Sequence, residues 1–266
     1  MRLRRIVDYW PNSGPTATNS LAHWHWQACT ASFFLNTMAA SGKIVVIGGG
    51  GREHAIAWSL SSSGVPIVVS PGNGGVAGMP NVTTAPYTTA AAAVEQCRGA
   101  RVVVVGPEAP LAEGLSDALQ AAGIPCFGPT RAAAQLETSK AWCKAFLQRH
   151  GIPTAAYKSF RVLGEAEAFI RAAPFRCVVK ASGLCAGKGV VVARDVEEAL
   201  EAARSIMGGA FGEAGAEVVI EEFLEGEEAS VLAFSDGKTV APLPAAQDHK
   251  RAWEFDQGAL PLSLLY

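Results

Sequence analysis

Short runs of β-branched residues alternate with helical segments in the first half of the chain. Each run is four or five residues long and ends in a turn that contains glycine or proline. The predicted strands are Lys43–Ile47, Val65–Val69, Arg101–Val105 and Ile124–Phe127, and the predicted helices are Arg52–Ser62 and Ala112–Ala122. Unbroken β-branched strands that alternate with helices indicate a parallel sheet covered on both faces. Because such sheets bind ligands at the carboxyl ends of their strands, we expect the glycine turns to converge on one crevice.

From residue 138 onward the pattern indicates mainly antiparallel strands with covering helices. A helix is predicted over Thr138–Arg149, with Thr or Ser as its N-cap and Gly151 as its terminator, and its apolar face is expected to include Trp142, Ala145 and Phe146. A Ser-Asp-Gly-Lys turn at 235–238 predicts a hairpin. The other predicted elements are the helices Gly164–Ala172 and Val196–Met207 and the strands Tyr157–Phe160, Arg176–Lys180, Gly189–Ala193, Glu217–Phe223, Ser230–Phe234 and Thr239–Pro242.

The first 42 residues differ in composition from the rest of the chain. They contain three arginines, one acidic residue, eight serines or threonines and three of the six tryptophans. An organellar transit segment, a disordered extension and a start site misplaced upstream of Met38 explain this composition equally well. The compartment is therefore left open between the cytoplasm and a plastid or mitochondrion.

Composition restricts the remaining classes of function. The 266 residues are 49% hydrophobic and 17% charged, with a formal net charge of -2, which favours a globular protein and argues against a nucleic-acid or membrane partner. The six cysteines are spread along the chain without a CxxC pair, so a reducing compartment is expected. No apolar run is long enough to predict a membrane span.

The four glycines at 48–51 do not form a dinucleotide fingerprint. GxGxxG would need glycine at position 53 or 54, where Glu53 and His54 stand, and the next predicted strand ends in Ser70-Pro71 rather than in an acid. An NAD-dependent oxidoreductase is therefore disfavoured. The turn could still approach an anion, with Arg52 as a phosphate fork, or be a tight turn without a ligand.

The segment 182–189 is similar to a P-loop only at Gly187-Lys188-Gly189. Ser182 stands where the first glycine of a P-loop is required, and a strand rather than a helix follows. A glycine-rich hairpin tip of this kind can cover nucleotide phosphates, with Lys180 as a second cation, or it can be a solvated hairpin. The acidic segment 221–228 and the polar segment 247–251 could likewise bind ligands or be solvated surface.

Several motifs occur together in one order and resemble a known family. They are VIGGGGREHA at 46–55, PGN at 71–73, VGPEAPL at 105–111, FGPT at 127–130, AQLE at 134–137, Ser139-Lys140, AGKGV at 186–190, residues 220–230 and QDHKR at 247–251. This combination resembles phosphoribosylamine-glycine ligase, also called glycinamide ribonucleotide synthetase, over residues 43–251. The resemblance implies an α/β chain with a Rossmann-like parallel-sheet N-terminal domain at 43–137 and a partial ATP-grasp domain at 138–251.

The resemblance also implies a reaction and its partners. In this family ATP phosphorylates the carboxylate of glycine, and the amine of 5-phosphoribosylamine attacks the acyl phosphate to give glycinamide ribonucleotide, ADP and phosphate in purine biosynthesis. The expected partners are these small molecules, with fusion to other purine-pathway domains in a full-length form. Positioning and charge neutralisation carry such chemistry, so no protein nucleophile is assigned.

By the same resemblance, two groups of site residues are expected. The lysines of the first group would contact ATP phosphates, Glu221 and Leu224 the adenine edge, and Glu227 or Glu228 the ribose. The ATP-binding group is Lys140, Lys180, Gly187, Lys188, Gly189, Glu221, Leu224, Glu227 and Glu228. The group facing phosphoribosylamine is Gly51, Arg52, Gly72, Asn73 and Glu108, with Asp248 and Lys250 near the substrates.

The resemblance stops after Arg251. Residues 252–266 match nothing in the family and are treated as an unrelated tail. Mg²⁺ is expected for the family, but no metal ligands are assigned, since Asp195, Glu197 and Glu198 suit the N-cap and first turn of a helix better. We therefore expect a truncated ligase without turnover; the alternative is a nucleotide-binding fragment.

Overall fold

The computed structural model describes residues 42–185 and 188–247. Residues 42–223 lie in one compact unit and residues 224–247 in a second. The α-helices are α1 Gly51–Ser61, α2 Ala90–Gln96, α3 Glu108–Ala112, α4 Leu115–Ala121, α5 Arg131–Thr138, α6 Lys140–Arg149, α7 Leu163–Ala172 and α8 Val196–Ser205. The strands are β1 Lys43–Gly48, β2 Ile67–Pro71, β3 Val82–Thr84, β4 Ala100–Val105, β5 Cys126–Phe127, β6 Tyr157–Phe160, β7 Cys177–Ala181, β8 Val190–Val192, β9 Val218–Glu222, β10 Ala229–Ser230, β11 Ala233–Ser235, β12 Val240–Pro242 and β13 Ala246–Gln247.

The first half of the larger unit contains a five-stranded sheet in the order β3-β2-β1-β4-β5, and every neighbouring pair is parallel. Successive side chains of a strand point to opposite faces. Accordingly, Val45 and Ile47 pack into one hydrophobic core, while Ile44 and Val46 pack into another. This strand order is that of doubly wound folds, and it confirms the predicted Rossmann-like sheet. The order reverses between β1 and β4, which is where such sheets form a ligand crevice.

Four elements of this half were not predicted, and one predicted helix starts at the wrong residue. The predicted helix over 112–122 begins only at Leu115, as α4, because Gly114 before it has a φ of 91°, which glycine adopts readily. Helix α3, which precedes this glycine, was not predicted. The short strand β3 and the helices α2 and α5 were missed. Helix α2 consists largely of alanines, which give no hydrophobic periodicity, and it begins where the Thr89 side chain accepts the N–H of Ala92.

The second half of the larger unit contains a four-stranded antiparallel sheet in the order β6-β9-β7-β8. Helices α7 and α8 cover one face, where Val179 and Ile220 are completely buried. Because side chains alternate along a strand, Lys180 and Glu221 project from the opposite face of β7 and β9. The sheet therefore has one apolar face and one face, here called the charged face, on which Lys180 and Glu221 stand beside the buried valines Val178 and Val219.

Helix α6 differs from its prediction in both its start and its buried face. It begins at Lys140, because Thr138 ends α5 and the Ser139 side chain accepts the N–H of Trp142 as the N-cap. Ala145, predicted to be on the apolar face, is exposed, and the buried residue of the helix is Lys144. The physical reason is that Lys144 meets a carboxylate of the charged sheet face.

Helix α8 begins as predicted and ends two residues early. The Asp195 side chain accepts the N–H of Glu198 at 2.9 Å, which confirms the predicted N-cap. The predicted helix continued to Met207, but the chain leaves α-helical geometry after Ser205 in a π turn over Ile206–Ala210, where Gly209 has a φ of 103°.

In the second unit, β11 and β12 form an antiparallel pair, which confirms the predicted hairpin. Its turn is held by Asp236, whose Oδ1 accepts the N–H groups of Lys238 and Thr239. The predicted strand over 230–234 is two short strands, because β10 pairs with β13 and β11 pairs with β12. Within 42–185 and 188–247, no helix is long and apolar enough to cross a membrane.

Candidate active site

Glu53 fills the point at which the order of the parallel sheet reverses. It is 3% exposed, and its Oε2 accepts the backbone N–H of Gly50 at 2.8 Å. A Cβ on Gly48 would lie 2.5 Å from Glu53 Cγ, and a Cβ on Gly106 would overlap the carboxylate. The absence of side chains at Gly48 and Gly106 therefore leaves room for the Glu53 carboxylate. Because this carboxylate already accepts the N–H of Gly50, that N–H is not available to bind a phosphate as it would be in a dinucleotide site.

Arg52 is held between two carboxylates beside this point. Its Nε donates to Glu53 Oε1 at 2.8 Å, and its Nη1 donates to Glu108 Oε1 at 3.2 Å. Partial burial disfavours the charged guanidinium, but the bonds to Glu53 and Glu108 outweigh this effect and raise the pKa of Arg52. Because Arg52 and Glu108 are both partly exposed, a ligand can still reach this pair.

The turn after β2 is attached to the turn after β1. Asn73 Nδ2 donates to the carbonyl of Gly49 at 2.9 Å, and the N–H of Gly72 donates to the carbonyl of Gly48 at 3.2 Å. Gly72 has a φ of 76°, and a Cβ there would lie 2.8 Å from the Thr84 side chain. Both the backbone conformation and the available space therefore require glycine at position 72.

The structure brings together the substrate-side residues that it describes. Gly51, Arg52, Gly72, Asn73 and Glu108 lie at the carboxyl ends of the adjacent strands β2, β1 and β4. The convergence of these turns on one crevice is thus observed, while the role of each residue toward a ligand remains a prediction. Asp248 and Lys250 lie outside the described residues.

Lys140 lies where α6 meets the antiparallel sheet. Its backbone N–H donates to the carbonyl of Ser182 at 2.8 Å, and its Nζ donates to the carbonyl of Gly183 at 3.2 Å. The Ser182 hydroxyl also accepts the N–H of Ala141. The start of α6 is therefore occupied by the loop that follows β7, and Lys140 offers a ligand its side chain rather than its N–H.

Glu221 receives two ammonium groups on the charged face of the sheet. Its Oε2 lies 3.1 Å from Lys180 Nζ and 2.9 Å from Lys144 Nζ. Glu221 is 6% exposed, and the side chain of Lys180 is 26% exposed. Lys180 is therefore the member of this cluster that both contacts Glu221 and remains accessible to a ligand.

Lys144 is the residue of this cluster that the sequence analysis missed. It lies one helical turn after Lys140, and residues four apart on a helix share a face. This spacing was the available signal. It was overlooked because the apolar face was assigned through Ala145.

The glycine-rich segment after β7 is part of a hairpin rather than a P-loop. Strands β7 and β8 are antiparallel, and no helix follows the segment. A Cβ on Gly189 would lie 2.7 Å from Cys185 Sγ, so the close approach just before β8 requires glycine at this position. Lys188 is exposed, and Gly187 lies outside the described residues.

The other predicted nucleotide residues belong to the second unit. Leu224, Glu227 and Glu228 are exposed there. In the part of the chain that the structure describes, no three His, Cys, Asp or Glu residues form a group that could hold a metal ion.

Two family models match adjacent parts of the chain. The model described as phosphoribosylglycinamide synthetase, N domain, matches residues 42–137. The model described as phosphoribosylglycinamide synthetase, ATP-grasp (A) domain, matches residues 138–260. Together they span both sheets of the larger unit.

The chain is also similar to named proteins of this kind. It is 53% identical over 224 residues to the trifunctional purine biosynthetic protein adenosine-3 of Gallus gallus, which covers 81% of this chain and 22% of that protein. It is 51% identical over 219 residues to the phosphoribosylamine-glycine ligase of Caulobacter vibrioides, covering 81% of this chain and 51% of that protein. The crystal structure of phosphoribosylamine-glycine ligase from Thermotoga maritima matches with a TM-score of 0.69 at 29% identity, over 82% of this chain and 53% of that one. The chain thus spans between a fifth and about half of the length of these relatives.

Proposed function

Because the chain belongs to the phosphoribosylglycinamide synthetase family, we propose that it forms the substrate-binding and nucleotide-binding part of a ligase. The proposed reaction joins glycine to 5-phosphoribosylamine with ATP as the phosphoryl donor. ATP transfers its terminal phosphoryl group to the glycine carboxylate, and the amine then displaces phosphate from the acyl phosphate. The products are glycinamide ribonucleotide, ADP and phosphate.

The observation that carries this proposal is the group of cations around Glu221. Lys144 and Lys180 both contact the buried carboxylate of Glu221, so this group has an excess of positive charge. Lys140 adds a third ammonium one helical turn before Lys144, on the carbonyl of Gly183. An anionic ligand is favoured beside such a group. Because the segment after β7 is a hairpin, these side chains take the place of the helix N-terminus that binds phosphates in a P-loop protein.

The residues present fit a nucleoside triphosphate. An ammonium has three donors, and Lys180 makes one described contact, to Glu221, while Lys140 Nζ makes one, to Gly183. Both ammonium groups therefore retain donors for phosphate oxygens. We assign to Lys140 and Lys180 the neutralisation of phosphate charge, which such a reaction needs as charge accumulates in the transition state.

The crevice of the parallel sheet is proposed to take the phosphoribosylamine. Arg52 and Glu108 present one positive and one negative group at its rim, which suits a ligand that carries both a phosphate and hydroxyl or amine donors.

The described acids offer no site for Mg²⁺, so no step is derived through a metal ion. The trifunctional purine biosynthetic protein of Gallus gallus supports the expected fusion to other purine-pathway domains in a full-length form.

A chimaera tests the proposed function. Residues 42–247 would replace the matching half of the Caulobacter vibrioides ligase, which is a close enough relative for the halves to pack. We expect ADP formation that requires both glycine and phosphoribosylamine. The matched control is the same chimaera with Lys180→Met, which should lose most of this activity while remaining folded. ADP formation in the absence of either glycine or phosphoribosylamine would contradict the proposal.

A further inference from the structure

Lys144 is a buried lysine whose ammonium contacts three acceptors of the protein. It is 8% exposed, and its Nζ lies 2.7 Å from Thr154 Oγ1, 2.9 Å from Glu221 Oε2 and 3.4 Å from the carbonyl of Ala155. The ring of Tyr157 lies 5.4 Å away. Three acceptors match the three donors of an ammonium, so Lys144 has none left for a ligand.

Lys144 and Lys180 share one oxygen of Glu221. Both ammonium groups contact Oε2, one from helix α6 and one from strand β7. With Lys144 removed, Lys180 would be the remaining cation on this carboxylate. The carboxylate could then rotate and bind Lys180 with both oxygens, which would draw that ammonium toward β9 and away from a ligand.

Stability alone is a poor reason for such an arrangement. Burying an ion pair costs desolvation free energy that the mutual attraction often only offsets, and apolar residues of similar volume frequently stabilise a fold as well. The contact of Lys144 with Glu221 is better explained by the position that it gives to the exposed member, Lys180.

We propose that Lys144 is a positioning residue for nucleotide binding: it does not touch ATP but holds Glu221 so that the ammonium of Lys180 faces the phosphates. This inference rests on the proposed function, because ATP is the ligand. It adds to that function a residue that acts only through Glu221.

The test measures ATP binding to the 266-residue chain by calorimetric titration. We expect Lys144→Met to weaken ATP binding about tenfold, since a hydrogen bond from a charged group has about that effect when misplaced. The matched control is Lys158→Met, which removes an exposed lysine of the neighbouring strand β6 that packs on Phe160 and Phe169. The control should change the affinity less than about twofold.

A double-mutant cycle separates positioning from a general loss of structure. If Lys144 acts through Glu221, then Lys144→Met should have no further effect on ATP affinity in a Glu221→Gln background. Thr154→Val gives a second route, because it removes one acceptor of Lys144 without changing the charge; it should weaken ATP binding about threefold. Thermal unfolding of each variant shows whether it is folded.

The outcomes are distinct. Wild-type chain that does not bind ATP would overturn the proposed function and this inference with it. Wild-type binding that Lys144→Met leaves unchanged would overturn the inference alone, and so would an equal loss in the wild-type and Glu221→Gln backgrounds. A loss that vanishes in the Glu221→Gln background supports it.

Discussion

The carboxylate of Glu53 accepts the backbone N–H of Gly50 at 2.8 Å, across the first turn of α1. The acceptor that caps this helix is therefore supplied three residues later in the chain, as in a capping box. Since Glu53 is almost completely buried, the contact connects the glycine turn to the core beneath it.

Replacing this carboxylate should destabilise the fold. Glu53→Ala removes the acceptor of Gly50 N–H and of Arg52 Nε, and it leaves a void between the glycines after β1 and β4. We expect a loss of about 3 kcal/mol in the free energy of unfolding, measured by urea denaturation. Glu95→Ala is the control, because Glu95 forms an ion pair with Arg98 on the exposed surface. Loss of this ion pair should leave the urea midpoint unchanged. Equal midpoints for Glu53→Ala and wild type would contradict this role.

Gly106 should not tolerate a side chain. A Cβ at this position would overlap the carboxylate of Glu53, whereas a Cβ on Gly74 would meet nothing within 4 Å. We therefore expect Gly106→Ala to lower the free energy of unfolding by about 2 kcal/mol and Gly74→Ala to have little effect. Thermal melting of the two variants side by side measures the difference, and similar melting temperatures would count against the close approach.

Cys97 should make stability depend on pH in the alkaline range. It is completely buried, and burial raises the pKa of its thiol from about 9 to about 11. Between these values the unfolded chain loses a proton that the folded chain keeps, so the stability of the wild type should fall as pH rises through this window. The fall attributable to Cys97 is up to about 3 kcal/mol.

Cys97→Ala isolates this effect from other titrating groups. Urea midpoints of the wild type and the variant, measured from about pH 8 to about pH 10.5, should converge as pH rises, because only the wild type carries the thiol. A constant difference between the two would show that the thiol does not titrate in this range.

Lys180 should be the main contributor to ATP affinity among the lysines that the structure describes. Its ammonium is held by Glu221 yet remains partly exposed. Lys180→Ala should weaken ATP binding about tenfold or more, whereas Lys188→Ala, which removes an exposed side chain, should have the smaller effect. Competition with a fluorescent nucleotide analogue measures the ATP affinity of both variants. A larger loss for Lys188→Ala than for Lys180→Ala would show that the hairpin tip contributes more to ATP affinity.

The parallel sheet could be predicted because its information is local. Runs such as Lys43–Ile47 are short, rich in β-branched residues and followed by glycine, so each strand can be predicted from its own sequence. The alanine-rich helix α2 could not be seen in this way, since its sequence has no apolar face. The break at Gly114 was also missed, because a glycine within a helical pattern does not reveal its φ.

The candidate site depended more on contacts between distant segments. The glycine turns were identified from the sequence, and Glu53 was noticed only as the residue that breaks a dinucleotide fingerprint. Glu53 fills the point where the strand order reverses because β1 and β4 are neighbours in the sheet. The local sequence does not show this pairing. The position of Lys144 on the face of Lys140 was readable from their spacing, but its partner, Glu221, lies on a strand much later in the chain, and that contact was not predictable.

The bond from Asn73 to the carbonyl of Gly49 has a consequence for the rate and entropy of binding. The rim of the crevice is ordered by the chain's own amide before any substrate arrives, so its conformational entropy is lost during folding rather than on association. A substrate should then dock without a slow rearrangement of these turns, and free and bound forms should superimpose closely here. Selectivity at this rim would come from shape that already exists, not from closure around the ligand.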